Sequence, residues 1–250
     1  MSIFMNFSYG NKVYNANTTA ILSTTGSLTG LVGTETLVLN ASSATFADKN
    51  VGAGKTVTVS GLSLANSTGL ASNYTLSTSS MTTPADITPA AATVSGAAAD
   101  SRVYNANTTA TLSSFGSLSG VLGGDTVSLL TGGVTAAFAD KNAGTGKTVT
   151  ISGYTLGGAD GGNYTVTGMP ITATADITQA GLTVTGIVAN NRVYNANTTA
   201  TLSNSGSLSG VIGGDTVGLV TSGISATFAN KNVGAAKTVT VTGYTLNGTD

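Results

Sequence analysis

The residues of this 250-residue chain that could do chemistry are few, and their types limit what they can do. There is no His, no Cys and no Trp. That removes an imidazole base, a thiolate nucleophile, a Cys/His zinc site and a disulfide framework. Gly157-Gly158-Ala159-Asp160-Gly161-Gly162-Asn163 faintly resembles a calcium loop, but such a loop needs several oxygen ligands per ion. The related stretch at residues 65–73 holds no carboxylate, so a glycine-rich hairpin turn is the better reading. Asp48 and Asp140 each precede Lys-Asn, and a third such segment carries Asn230 instead; side chains bonding the local backbone in a turn account for all three. No two acids adjoin in sequence, which gives the paired carboxylates of a glycosidase no support. Serine nucleophiles lack a His, and neither Ser-x-x-Lys nor Gly-x-Ser-x-Gly occurs. Lys147-Thr148 after Gly146 echoes a phosphate loop, yet Lys141 stands where its first Gly belongs and a strand pattern follows rather than a helix. The pairs Thr56/Thr58, Thr148/Thr150 and Thr238/Thr240 project hydroxyls from one strand face, but an ice-binding face stacks such pairs about 4.8 Å apart, and here they recur only every 90 residues or so. Tyr14, Tyr104 and Tyr194 could stack on a sugar; the alternative is a ring packed at a domain junction with its hydroxyl on a backbone partner. The expectation is therefore no catalytic residue, no metal and no cofactor.

The remaining composition describes the scaffold. Nine Lys and Arg face ten Asp and Glu, a net charge of −1 with 8% charged residues. That is no footprint for a nucleic-acid backbone or an anionic membrane surface. Mean hydropathy is +0.26, but the apolar residues lie in short alternating runs, far from the roughly 18 of a membrane span. Abundant Thr and Val favour strands, and Gly and Asn favour turns. Residues 1–10 carry no Lys or Arg, and Asn6 interrupts their apolar stretch. They do not read as a secretory signal peptide, so either the protein is not exported or this is part of a longer chain.

An internal repeat dominates the chain. Lys12-Val13-Tyr14-Asn15-Ala16-Asn17-Thr18-Thr19-Ala20 returns from Arg102 and again from Arg192, 90 residues apart each time. Gly33-Thr34-Glu35-Thr36 becomes Gly123-Gly124-Asp125-Thr126, then Gly213-Gly214-Asp215-Thr216. Phe46-Ala47-Asp48-Lys49-Asn50 recurs from Phe138 and from Phe228, and Lys55-Thr56-Val57-Thr58-Val59 from Lys147 and from Lys237. Asn73-Tyr74-Thr75 and Ala85-Asp86-Ile87-Thr88 return as Asn163-Tyr164-Thr165 and Ala175-Asp176-Ile177-Thr178. All nine basic residues fall at three positions of the repeat, so no copy carries the asymmetry that a catalytic site normally needs.

Ninety residues suffice to close a small core, unlike the short coils of a solenoid. Strand signals come every 8–12 residues with Gly/Asn/Asp turns between them. In the second copy strands are expected near residues 92–96, 102–104, 108–113, 126–130, 134–138, 147–156, 163–167 and 172–178. Val149 and Ile151 should point inward, with Leu112, Leu118, Leu129, Phe138, Leu156, Tyr164 and Ile177 adding to the core. The predicted fold is all-β, a tandem array of antiparallel β-sandwich domains of immunoglobulin-like type at residues 1–89, 90–179 and 180–250. β-grasp-like units are the alternative, although no amphipathic helix is evident for them. The first copy opens on an atypical first strand, and the third ends at Asp250, before its own Asn-Tyr-Thr and Ala-Asp-Ile-Thr.

Six ordered motifs in register, spanning essentially the whole chain, resemble the YDG-type repeat of large bacterial surface and secreted proteins. These include filamentous-haemagglutinin-like adhesins exported by two-partner secretion. The repeat-motif positions are Tyr14, Asn15, Tyr104, Asn105, Tyr194 and Asn195, with Phe46, Phe138, Phe228, Tyr74 and Tyr164 as structural landmarks. Tyr-Asp-Gly is here Tyr-Asn-Ala; losing Asp removes a charge, and Ala in place of Gly argues against a positive φ. The resemblance implies a structural stalk or spacer of an extracellular, cell-surface adhesin rather than an enzyme. Its partners would be neighbouring repeats of the same chain, with a host surface protein or glycan bound elsewhere or, alternatively, by the repeats themselves.

Overall fold

In a computed structural model of the chain, the described residues are 4–6, 9–21 and 26–250. They form an all-β protein whose helical segments are single 3-10 turns at Ala71–Asn73 and Gly161–Asn163. The α-helix that a β-grasp unit requires is therefore missing from the described residues. The atypical opening strand of the first copy lies partly outside the described residues; Phe4–Asn6 pairs antiparallel with Ser27–Thr29.

The second copy shows why these residues form strands. Gly144–Ser152 carries Val149 and Ile151 fully buried, with polar or small neighbours facing out, the alternation of a strand with one buried face. Phe138, Tyr164 and Ile177 are buried as expected, while Leu112, Leu118, Leu129 and Leu156 are half-buried. Two strands differ most from the sequence reading. The strand expected near residues 108–113 is Leu112–Ser119, with Thr109 making only an isolated bridge to Ala137. The run expected at residues 147–156 breaks into Gly144–Ser152 and Thr155–Gly157. Gly153, at φ 90°, has no room for a Cβ against the Gly133 carbonyl and forces the break.

Each of the first two copies builds a four-stranded sheet. In the first its order is Lys12–Val13, Ser80–Thr88, Gly52–Ser60, Ser43–Phe46. The Lys12–Val13 strand, which leads into Tyr-Asn-Ala, pairs parallel with the Ala-Asp-Ile-Thr strand, Lys12 opposite Ile87, and the other pairs are antiparallel. The second copy repeats this with Arg102 opposite Ile177. Ile87 and Ala85 face inward while Asp86 faces out, accepting the Gly54 N–H at 2.8 Å across a bulge where Gly54 has φ 60°.

The compact bodies divide the chain differently from the repeat periods 1–89, 90–179 and 180–250. One comprises Met1–Ala98, Ser113–Thr135 and Ile151–Ile171; the other comprises Ala99–Leu112, Ala136–Thr150 and Thr172–Asp250. In the first body, the sheet of the first copy shares a core with Ala90, Ala92 and Tyr164 of the second. Only Pro89 separates the strands Ser80–Thr88 and Ala90–Ala99. In the second body Ala110, Phe138, Val149, Ala175, Ile177, Ala200 and Ala226 are buried. A boundary between sequence repeats thus falls inside a compact body.

Candidate functional site

The Tyr-Asn-Ala motif is a turn held from several sides. Tyr14 N–H donates to the Thr88 carbonyl at 2.8 Å, and Asn17 Oδ1 accepts the Thr19 N–H at 3.0 Å. Lys12 Nζ donates to Asn15 Oδ1 (2.9 Å) and to the carbonyls of Asn17 (2.7 Å) and Thr19 (3.0 Å), and lies 5.1 Å from the centre of the Phe46 ring. Arg102 and Arg192 bind Asn107 and Asn197 in the same way and stack on Phe138 and Phe228, each at 5.0 Å. Asn105 and Asn195 accept the N–H groups of Asn107 and Asn197. The sequence argument against a positive φ fails here: Ala16, Ala106 and Ala196 have φ of 61°, 60° and 64°. The left-handed region costs a non-glycine residue about 1–2 kcal/mol, and the surrounding hydrogen bonds hold Ala there.

This turn aims the tyrosine at the next repeat. Tyr14 Oη donates to Asp125 Oδ2 at 2.8 Å, and Tyr164 Oη donates to the same oxygen at 2.6 Å. The two rings meet edge to face, 5.4 Å apart at 72°, a favoured aromatic geometry. Lys49 Nζ sits 2.7 Å from Asp125 Oδ1 and 2.8 Å from Asp160 Oδ1, and 5.7 Å from the centre of the Tyr14 ring. Asn163, itself buried, accepts the Val51 N–H at 2.9 Å and donates to Asn50 Oδ1 at 3.2 Å. Tyr164 Oη also accepts the Leu122 N–H at 3.0 Å, and Asp160 accepts the Thr126 N–H at 3.0 Å. Tyr14, Lys49, Asn50 and Val51 belong to the first repeat; Asp125, Asp160, Asn163 and Tyr164 belong to the second. The site is a joint between repeats, inside one compact body.

Its electrostatics fit a lock. The Asp125 side chain is only 2% exposed. The Lys49 ammonium, followed by the Tyr164 hydroxyl, holds its carboxyl down to about 2 in spite of burial. Asp125, then Asp160 and Tyr14, hold the Lys49 ammonium charged well above the usual lysine range. Burial pushes the Tyr14 and Tyr164 phenols up, so both stay protonated. A carboxylate so strongly held is a weak base at neutral pH. Among the described residues no group of three or more acids could hold a metal ion; Asp160, in the loop that resembles a calcium site, holds Lys49.

The second joint uses the same positions one period on. Tyr104 Oη donates to Asp215 Oδ1 at 2.9 Å, and Lys141 Nζ lies 3.3 Å from that oxygen and 2.6 Å from Asp250 Oδ1. Lys141 is again held charged, by Asp250 first and then Tyr104 and Asp215. Tyr14 is 2% exposed, Tyr104 is half-buried and Tyr194 is 54% exposed. In the first copy Glu35 stands where the later copies have Asp, and it receives the Tyr74 hydroxyl, which also takes the Val32 N–H at 3.1 Å.

Tyr14 and Tyr104 thus sit at repeat junctions, as expected, but their hydroxyls reach a carboxylate of the following copy rather than a backbone group. The backbone-bonded tyrosines are others: Tyr154 and Tyr244 donate to the carbonyls of Phe115 and Ser205, each at 2.8 Å. Phe46 and Phe138 are buried and Phe228 is half-buried, each under its basic residue. Sequence reasoning missed Lys49, Asp125 and Asp160 as partners of Tyr14. The signal was present in the fixed position of Gly-Gly-Asp-Thr and of the Lys after Phe-Ala-Asp/Asn, but not the fact that they join across copies. The Asp48–Lys55 and Asp140–Lys147 pairs (2.7 and 2.6 Å), with Asn50 and Asn142 N–H on the same carboxylates, are the turns expected there.

No curated protein and no solved structure matches the chain. The YDG domain profile matches residues 6–83, 88–173 and 178–250, in phase with the repeat. These three segments cover almost all of the sequence, and the chain belongs to the YDG domain family.

Proposed function

We propose that the chain is a structural stalk or spacer of a bacterial cell-surface or secreted adhesin, extending a binding region that lies elsewhere, and that it is not an enzyme. One observation carries the reading. All ten acids accept hydrogen bonds within the chain, and every basic residue except Lys231 binds a turn or the next repeat. Charge serves to hold the turns and to connect one copy to the next, twice with the same residues. Membership of the YDG family and the resemblance to two-partner-secreted adhesins support the extracellular setting. Among the described residues no helix is long and apolar enough to cross a membrane.

Deleting residues 91–180 tests this. The cut joins equivalent positions and brings Tyr14 and Lys49 one repeat away from Asp215 and Asp250, the same residue types as in the intact joints. The shortened chain is expected to fold, and adhesion by the parent protein to decline only as far as reach matters. Repeats that bind host glycan or protein themselves would instead lose avidity multiplicatively with each copy removed. A steep loss of binding by the purified 250-residue chain after this deletion overturns the spacer reading.

A further inference from the structure

The second joint carries a cleft of about 590 Å³, lined among others by Tyr104, Asn142, Ala143, Ala180, Leu182 and Ile212. Each of these has an equivalent in the first joint, and there the equivalents touch one segment. Tyr164–Val166 lies parallel to the start of Ala90–Ala99, Tyr164 opposite Ala90 and Val166 opposite Ala92, and Thr167 N–H continues the ladder to the Ala92 carbonyl at 2.9 Å. Asn163 takes the Val51 N–H and reaches Asn50, the counterparts of Ala143 and Asn142. Tyr164 takes the Leu122 N–H, the counterpart of Ile212, and packs on Tyr14, the counterpart of Tyr104.

Two further features mark the cleft as a strand site without its strand. Ala90, Ala91 and Ala92 are strand residues, whereas Ala180, Gly181 and Leu182 are not, and the following strand begins only at Thr183. Tyr104 and Lys141 share one oxygen of Asp215; its other oxygen receives no hydrogen bond among the described residues, while Asp125 takes two phenols and an ammonium. A sheet edge with unpaired backbone groups is a template for another extended segment.

We infer that this cleft is an acceptor for an extended Asn-Tyr-Thr segment of this repeat type, entering parallel to residues 180–182. Its Tyr hydroxyl donates to the open oxygen of Asp215 and accepts from Ile212 N–H. Its Asn takes Ala143 N–H, and its backbone extends the strand at Ala180, Gly181 and Leu182. The surface recognises a strand by main-chain hydrogen bonds and selects it by one tyrosine. It does not depend on the spacer role, since a ligand-binding repeat could carry the same cleft.

Two measurements on the 250-residue chain test it. A synthetic peptide with the sequence of residues 161–167, Gly-Gly-Asn-Tyr-Thr-Val-Thr, is titrated against the protein while the amides of residues 180–182 and 212 are followed by NMR. Saturable one-to-one binding at those amides is expected, weakened roughly tenfold or more when the peptide Tyr is replaced by Phe, because a hydrogen bond to a charged acceptor is lost. In the second measurement the same seven residues are appended after four spacer residues beyond Asp250, which raises their effective concentration. Amide exchange at Gly181 and Leu182 should then slow by roughly tenfold or more, and less with Phe in place of Tyr. Equal binding of a scrambled peptide overturns the inference. So does unchanged exchange at residues 180–182 in the extended chain, whatever the free peptide does.

Discussion

The first and second joints are assembled from the same residue types at the same repeat positions, yet they differ in completeness. At the first, Tyr14, Tyr164, Lys49 and Asp160 surround Asp125, and Tyr14 is 2% exposed. At the second, Tyr104 and Lys141 meet one oxygen of Asp215, Tyr104 is half-buried and a cleft stands where Tyr164 and its strand would lie. The difference teaches that a repeat of this kind does not end where its sequence period ends. At the first joint the Tyr-Asn-Ala turn is buried against both the Gly-Gly-Asp-Thr acid and the Asn-Tyr-Thr strand of the second copy. Tyr194 is more than half exposed.

The comparison is sharpest if the cores are equivalent and only the joints differ. Ile87 and Ile177 occupy matching positions and are 1% and 2% exposed. Ile87→Ala and Ile177→Ala should each cost about 2–5 kcal/mol, the largest effects expected, measured by denaturant unfolding together with amide exchange near each site. If one cost greatly exceeds the other, the asymmetry begins in the core and not at the joint.

The joints themselves come next. Tyr14→Phe removes a hydrogen bond to a buried carboxylate, worth about 1.5–3 kcal/mol, while the ring stays against Tyr164. Tyr104→Phe removes the same bond at a wetter site and should cost less, because water can replace it. Amide exchange around Thr88 and Thr178, whose carbonyls receive the N–H groups of these tyrosines, would report each effect locally. Equal losses would mean that the edge contact of Tyr164 and the depth of the first joint contribute nothing.

Acid should open a smaller gap. The Asp125 carboxyl lies at about 2 when folded, below its ordinary 3.8. A depressed carboxyl stabilises the fold fully above its unfolded value, and that contribution disappears as pH falls through the folded one. The contribution of Asp125 is therefore present at pH 5 and fades between about pH 4 and pH 2. Asp125→Asn should flatten the pH dependence of stability over that window, and added salt should weaken it little at so buried a site. A pH profile that Asp125→Asn leaves unchanged would detach the charge from the lock.

Much of this was legible in the sequence, and the rest was hidden for identifiable reasons. The all-β class and the strands around Val149, Phe138 and Ile177 followed from alternation and period, and the junction placement of Tyr14 and Tyr104 from the usual role of Tyr in β-sandwiches. The partners of Tyr14 did not, because Lys49, Asp125 and Asp160 lie 35 to 146 residues from it in the chain, and repetition alone does not say whether two motifs meet within a copy or across copies. The segment around Gly161–Asn163 reads from sequence as a hairpin turn rather than a calcium loop; it is a 3-10 turn whose flanking strands Thr155–Gly157 and Tyr164–Val166 join different sheets, and its Asp160 binds the Lys49 ammonium. The conformation of the Ala residues was misread because steric preference was weighed without the Lys12 and Arg102 hydrogen bonds that enforce the turn.

That last point yields the smallest expected effect and the most local one. Ala16, Ala106 and Ala196 hold nearly the same positive φ, at a buried, a half-buried and an exposed tyrosine respectively. If the strain is set by the turn alone, Ala16→Gly, Ala106→Gly and Ala196→Gly should each relieve about 0.5–1 kcal/mol net of the greater freedom glycine has when unfolded. If the joint instead imposes the conformation, relief should be greatest at Ala16, beside the buried Tyr14, and least at Ala196, beside the exposed Tyr194. Asn17, Asn107 and Asn197 bond Thr19, Thr109 and Thr199 N–H at 3.0–3.1 Å in every copy, which favours the turn alone. Three separate denaturation curves, one per substitution, decide between the two. Equal small gains would show that the motif is folded before any neighbour arrives, and that the joint selects a tyrosine already in place.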